Sequence, residues 1–199
     1  MKVLKNIILA SKSPRRKELL ERLNLDFDIK VSQVDEDSFE QDIPWKFVEK
    51  LSYEKANSVS KIADNDSLVI GCDTVVVYED KILGKPRDTG QAREYLEKLS
   101  GKKHLVYSGI AILDKNSDEN YISHEVTEVY MKELNEEEIT CYIRTGEPLD
   151  KAGAYGIQGV GSILIEKING DYYNVMGLPL NKLYKGLSKL GVNYFQIVK

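Results

Sequence analysis

An α/β or α+β fold with a mixed sheet is what this sequence predicts, on three observations. Apolar runs rich in Val and Ile alternate with segments of helical periodicity, hairpin patterns interrupt that alternation, and neither a fixed-period repeat nor a Pro/Gly/Ser linker divides the chain. The first strand is expected over residues 3–10. A helix follows from Pro14, with Leu19, Leu20 and Leu23 at helical spacing, because Ser13 can cap the first-turn amides and proline is preorganised for the first helical position. A longer helix over 42–62 carries Trp45, Val48, Leu51, Ala56, Val59 and Ile62 on its apolar side. Residues 67–72 and 74–78 read as two strands, closed by a turn at Glu79-Asp80-Lys81. A helix over 88–99 ends at Gly101, and residues 104–113 and 121–134 form a hairpin pair. Asn135 followed by Glu136, Glu137 and Glu138 starts another helix, with acids at the positive end of its dipole. A strand near 162–168, a helix over 179–190 and a last strand over 194–198 complete the expected order.

Composition narrows the function classes. The chain has 199 residues, 42% apolar and 30% charged, with 28 basic and 32 acidic side chains for a net charge of −4. One domain over residues 1–199 is expected at this length. No apolar run approaches the roughly 18 residues that span a bilayer, and the first residues lack the long apolar stretch of a signal peptide, so a cytoplasmic protein without a membrane partner is expected. Cys72 and Cys141 stand alone, which excludes a zinc module, and the acidic balance argues against a nucleic-acid partner.

Four segments could carry chemistry. Ser11-Lys12-Ser13-Pro14-Arg15-Arg16-Lys17 sits where a strand turns into a helix, so free amides, hydroxyls and guanidinium groups could meet a phosphate. A capped helix with solvated cations explains the same string. In Val69-Ile70-Gly71-Cys72-Asp73-Thr74-Val75 one carboxylate interrupts an apolar strand, a position tolerated if it binds a metal ion, takes a proton, or accepts local backbone bonds at a bulge beside Gly71. Lys85 lies between Gly84 and Pro86 in a loop, as a ligand contact or an exposed turn. The glycine-rich stretch 146–161 contains Asp150, Lys151 and Gln158 and suggests a binding loop, in which Gln158 could meet a base edge or satisfy loop backbone. His104 and His124 are too isolated for a metal site or a catalytic triad.

Taken in order, Leu9-Ala10-Ser11-x-Ser13-Pro14-Arg15-Arg16, Gly71-x-Asp73-Thr74, Gly84-Lys85-Pro86, Asp150-Lys151-Ala152-Gly153-x-Tyr155-x-Ile157-Gln158-Gly159 and Gly177-Leu178-Pro179 resemble the Maf family of nucleoside triphosphate pyrophosphatases, also called septum formation inhibitor proteins. The resemblance implies an elongated mixed sheet flanked by helices, with two lobes and a central cleft, related to the inosine triphosphate pyrophosphatases. It further implies hydrolysis of a nucleoside triphosphate to monophosphate and pyrophosphate, a divalent cation (Mg²⁺ or Mn²⁺), and a homodimer. Arg15, Thr74 and Gln158 match the dTTP/UTP subgroup, whereas the 7-methyl-GTP subgroup has tryptophan where Arg15 stands.

On this resemblance Asp73 is the expected catalytic base and, with Glu36, the expected metal carboxylate. Ser11, Ser13, Arg15, Arg16, Lys55 and Lys85 are expected to hold the triphosphate, and Arg15, Thr74 and Gln158 to select the base. A nucleotide-binding regulator of cell division, acting through a protein partner, is the alternative. The carboxylate inside an apolar strand favours the enzyme, because a pure binder has no need of it.

Overall fold

Ile and Leu fix the first strand. In the computed structural model, which describes residues 5–40, 43–117 and 119–197, β1 (Asn6–Leu9) buries Ile7, Ile8 and Leu9. Residues 3 and 4 of the expected strand lie outside the described residues. Helix α1 (Pro14–Arg22) starts where expected, with Pro14 in its first turn and Leu19 and Leu20 fully buried. The expected Ser13 cap is corrected. Ser13 holds the cap position with extended backbone, but its hydroxyl makes no capping bond, and its own N–H donates to Ser11 Oγ at 3.2 Å. Pro14 has no N–H to satisfy, so less rests on that cap.

After β2 (Asp28–Ile29), helix α2 (Pro44–Ser60) buries Phe47, Val48, Leu51, Ser52, Lys55, Ala56 and Val59 at helical spacing. Asp42, the expected start, lies outside the described residues. Trp45 and Ile62 leave the apolar side assigned to them: Trp45 is exposed and stacks on His124 with ring centroids 5.4 Å apart, and Ile62 lies beyond the helix end, 70% exposed.

The two strands expected on either side of Asp73 are one, β3 (Ser67–Tyr78). Asp73 stays in the strand because its charge has a partner, described below. The turn at Glu79 and Asp80, both at positive φ, leads to β4 (Lys81–Leu83), as a tight hairpin requires. Helix α3 (Thr89–Leu99) is capped by Asp88, which accepts from Gln91 N–H at 2.8 Å. Strands β5 (Lys103–Asp114) and β6 (Asn120–Met131) follow, then α4 (Glu136–Arg144), whose Asn135 and Glu138 exchange side-chain and backbone bonds in a capping box. Residues 159–164 form 3₁₀ turns, so β7 (Ile165–Asn169) begins later than expected. Helices α5 (Tyr172–Met176) and α6 (Leu180–Lys189) come next.

The last expected strand is a helical turn, α7 (Tyr194–Ile197). Asn193 Oδ1 accepts Phe195 N–H at 3.1 Å and its carbonyl accepts Gln196 N–H at 3.0 Å, which starts a turn before any strand partner is met. Val198 lies outside the described residues.

Among the described residues seven strands form a mixed sheet in the order β2-β1-β3-β5-β6-β7, with β4 on β3. β1 is parallel to β2 and β3, whereas the β3–β4 and β6–β7 pairs are antiparallel. The chain divides into two compact units. Unit one comprises the described parts of Met1–Asp73, Ser108–Glu125 and Gly177–Lys199; unit two comprises Thr74–Tyr107 and Val126–Met176. The first has a core that includes Ile8, Ala56, Val59, Val69 and Ala111. Unit two packs Val76, Leu96, Val106, Val129, Ile139, Tyr155 and Leu164 together. Among the described residues no helix is long and apolar enough to cross a membrane, and both cysteines are free.

Candidate functional site

Unit one gathers most of the expected phosphate-binding and acidic residues. β1 and β3 are parallel with Leu9 opposite Ile70, so Ser11 and Asp73 both follow the same end of the ladder. Ser11 is buried, and its hydroxyl accepts from Arg16 Nη1 at 3.3 Å and from Ser13 N–H at 3.2 Å. Arg16 Nε also donates to Gly177 O at 2.8 Å, which fixes the guanidinium. Ser13 and Arg15 sit half-buried at the start of α1.

Lys55 and Asp73 meet because α2 comes unusually close to the sheet. A Cβ on Gly71 would stand 2.1 Å from Ser52 O, and one on Gly109 would stand 2.2 Å from Val48 O. Only glycine fits at either position, so Gly71 belongs to a close helix approach rather than to the bulge the sequence allowed. The buried Lys55 Nζ then lies 2.6 Å from Asp73 Oδ1 and 2.8 Å from Glu36 Oε1. Glu36 opens a 3₁₀ turn (Glu36–Ser38). The segment before it is tied to α2 through Ser58 Oγ, which donates to Ser32 Oγ at 3.0 Å. Burial pushes the neighbouring Cys72 thiol up to about 11, against the pull of Arg16 and Lys55, and Asp73 adds to the rise. That thiol is inert.

Asp73 Oδ2 is buried without a hydrogen-bond partner among the described residues. No cluster of three or more His, Cys, Asp or Glu there could hold a metal by itself. Two carboxylates within reach of one ammonium, with one orphaned oxygen, fit a hard cation that completes its shell with phosphate oxygens and water, and do not fit a zinc cage.

The remaining expected residues lie in unit two. Thr74 is half-buried on β3, Lys85 is exposed beside the buried Pro86, and Gln158 is half-buried with extended backbone. Gly153 N–H donates to Gly84 O at 3.0 Å, which joins the Lys85 loop to the loop carrying Gln158. Sequence reasoning missed the residues that hold this second loop. His104 Nε2 and the Tyr155 hydroxyl are 2.6 Å apart, Tyr142 OH accepts Gly156 N–H at 3.2 Å, and Glu147 accepts Val160 and Gly161 N–H at 2.9 and 3.2 Å. Burial lowers the His104 pKa to about 4, so the ring is neutral at pH 7, and burial foremost raises Tyr142 and Tyr155. No local pattern marks His104. Glu147 carries one signal, an acid beside Pro148 at the head of a glycine-rich stretch.

The family model described as Maf-like protein matches residues 6–190. The chain is 54% identical over 186 residues to a "dTTP/UTP pyrophosphatase" of Alkaliphilus metalliredigens, covering 94% of this chain and 96% of that one. It is also 54% identical over 194 residues to a protein of the same name from Clostridium botulinum, covering 96% of this chain and all of the other. A HAM1 protein of Coxiella burnetii is similar in structure at 16% identity and a TM-score of 0.49, covering 94% and 96% of the two chains.

Proposed function

This chain belongs to the family of Maf-like proteins, and from that premise we propose that it hydrolyses dTTP and UTP to the nucleoside monophosphate and pyrophosphate. The observation that carries the reading is the buried Lys55 ammonium between Asp73 and Glu36, in the same unit as the Ser11–Arg16 pair. A carboxylate that could take a proton and donors that could bind an anion, both following one end of parallel strands, support this reading.

In this proposal Asp73 takes the proton of a water that attacks the α-phosphorus, as the bond to the bridging oxygen of the β-phosphate breaks. Lys55 Nζ, 2.6 Å from Asp73 Oδ1, holds that carboxylate in place. Glu36 and Asp73 would hold Mg²⁺ or Mn²⁺, which when bound neutralises phosphate charge and polarises the phosphoryl group. Arg16, aimed by Gly177 O, and the hydroxyls of Ser11 and Ser13 hold phosphate oxygens, with Arg15. Lys55 and Lys85 offset the charge that grows on departing pyrophosphate. Arg15, Thr74 and Gln158 select the pyrimidine, because a hydrogen-bonding site rejects a base that leaves its polar groups unpaired. The whole chain, residues 1–199, is the functional unit of this proposal, working in the cytoplasm as a homodimer without nucleic acid.

A panel of nucleoside triphosphates assayed with Mg²⁺ for both pyrophosphate and orthophosphate tests it. Pyrophosphate from dTTP and UTP in preference to purine triphosphates is expected. Release of orthophosphate alone would exclude the assignment.

A further inference from the structure

We propose that Glu147 is the positioning residue for base selection, because its carboxylate holds the turn that carries Gln158. The inference rests on the reading that Gln158 meets the pyrimidine of dTTP or UTP.

The chain on both sides of Gln158 is bound to this carboxylate and to one phenol. Glu147 Oε1 accepts Val160 N–H at 2.9 Å and Oε2 accepts Gly161 N–H at 3.2 Å. The Tyr142 hydroxyl accepts Gly156 N–H at 3.2 Å and donates to Glu147 Oε2 at 3.4 Å. Gly159, directly after Gln158, has φ +66, and a Cβ there would stand 2.6 Å from Glu147 Oε1. The turn therefore wraps onto the carboxylate with no room for a side chain. Glu147 is itself fixed at its backbone, where its carbonyl accepts Lys151 Nζ at 2.7 Å and its N–H donates to Thr145 Oγ1 at 3.1 Å. A carboxylate can accept two N–H groups at once. An amide of the same size accepts one and turns an NH₂ donor toward the other, so Glu147→Gln breaks the clamp without changing its volume.

The experiment compares the full wild-type chain with Glu147→Gln, using Mg²⁺ and dTTP, UTP and CTP. The kcat/KM for dTTP and UTP is expected to fall about tenfold through KM, with kcat within about twofold and the UTP-over-CTP preference shrinking in step, as for lost substrate alignment. Amide exchange should quicken at Val160 and Gly161 and stay unchanged elsewhere. Tyr142→Phe, which removes only the hydroxyl, is the second variant should Glu147→Gln fail to fold, and a smaller shift in the same direction is expected. If the wild-type chain releases no pyrophosphate, the reading on which the inference rests is overturned. Wild-type turnover with an unchanged UTP-to-CTP ratio in both variants would overturn the inference itself.

Discussion

The acidic and basic cluster of unit one and the Gln158 loop of unit two solve the placement problem in opposite ways. In unit one two of the candidate groups are anchored on regular elements, and charge holds charge: Lys55 of α2 bridges Asp73 of β3 and Glu36 of a 3₁₀ turn. In unit two the candidate selecting side chain sits on irregular backbone, and the buried His104 and Tyr142 and the half-buried Glu147 hold that backbone: His104 through Tyr155, Tyr142 and Glu147 through peptide N–H groups. Chemistry that must not drift is built where a helix closes on a sheet. The Gln158 loop has no regular element beneath it and depends on side chains from elsewhere in the unit to hold its backbone.

The sharpest way to break the first arrangement is Lys55→Met. It leaves Asp73 buried without its cation and should cost about 3–5 kcal/mol, read as a lower denaturant midpoint at unchanged slope, together with loss of turnover. Gly71→Ala comes next. A Cβ 2.1 Å from Ser52 O forces α2 off β3, for a loss near the upper end of about 1–3 kcal/mol and a fall in activity as Lys55 moves.

The second arrangement breaks with acid instead. His104 has a folded pKa of about 4 against 6.5 unfolded, so the unfolded chain binds the proton first. Its contribution is complete above about pH 6.5 and is lost as pH falls toward 4, roughly 2 kcal/mol between pH 7 and pH 5. Melts of wild type and His104→Gln over that range should show a shallower pH dependence in the variant. Lys85→Ala has the smallest effect on the fold: an exposed side chain should change stability by no more than about 0.5 kcal/mol while kcat/KM for dTTP falls at least about tenfold.

Much of unit one is legible in the sequence because its signals are local. Ser13-Pro14 marks a helix start, whereas Lys55 is reached only through the family resemblance, and the structure shows it buried on the same face as Val48, Leu51 and Val59. Asp73 is visible as a carboxylate in an apolar run, but periodicity divides the strand there, because the partner 18 residues away is invisible to it. Gly71 and Gly109 stand in apolar strands, but only the packed helix shows that each clears a backbone carbonyl. The Gln158 loop is readable only as glycine-rich, since its supports at His104, Tyr142 and Glu147 lie 51, 14 and 13 residues from the groups they hold. At residues 194–197 an aromatic and β-branched run, Tyr-Phe-Gln-Ile, suits a strand, and the Asn193 side chain decides for a turn.

Asp73→Asn in the full chain, assayed with Mg²⁺ and dTTP for released pyrophosphate, tests the central claim most directly. The variant keeps the size of the side chain and removes its capacity to take a proton. Pyrophosphate release should fall by at least about a hundredfold, with dTTP still bound. Full turnover in that variant would contradict the assignment of Asp73 as the base and the reading of the Lys55-bridged carboxylates as the reacting centre.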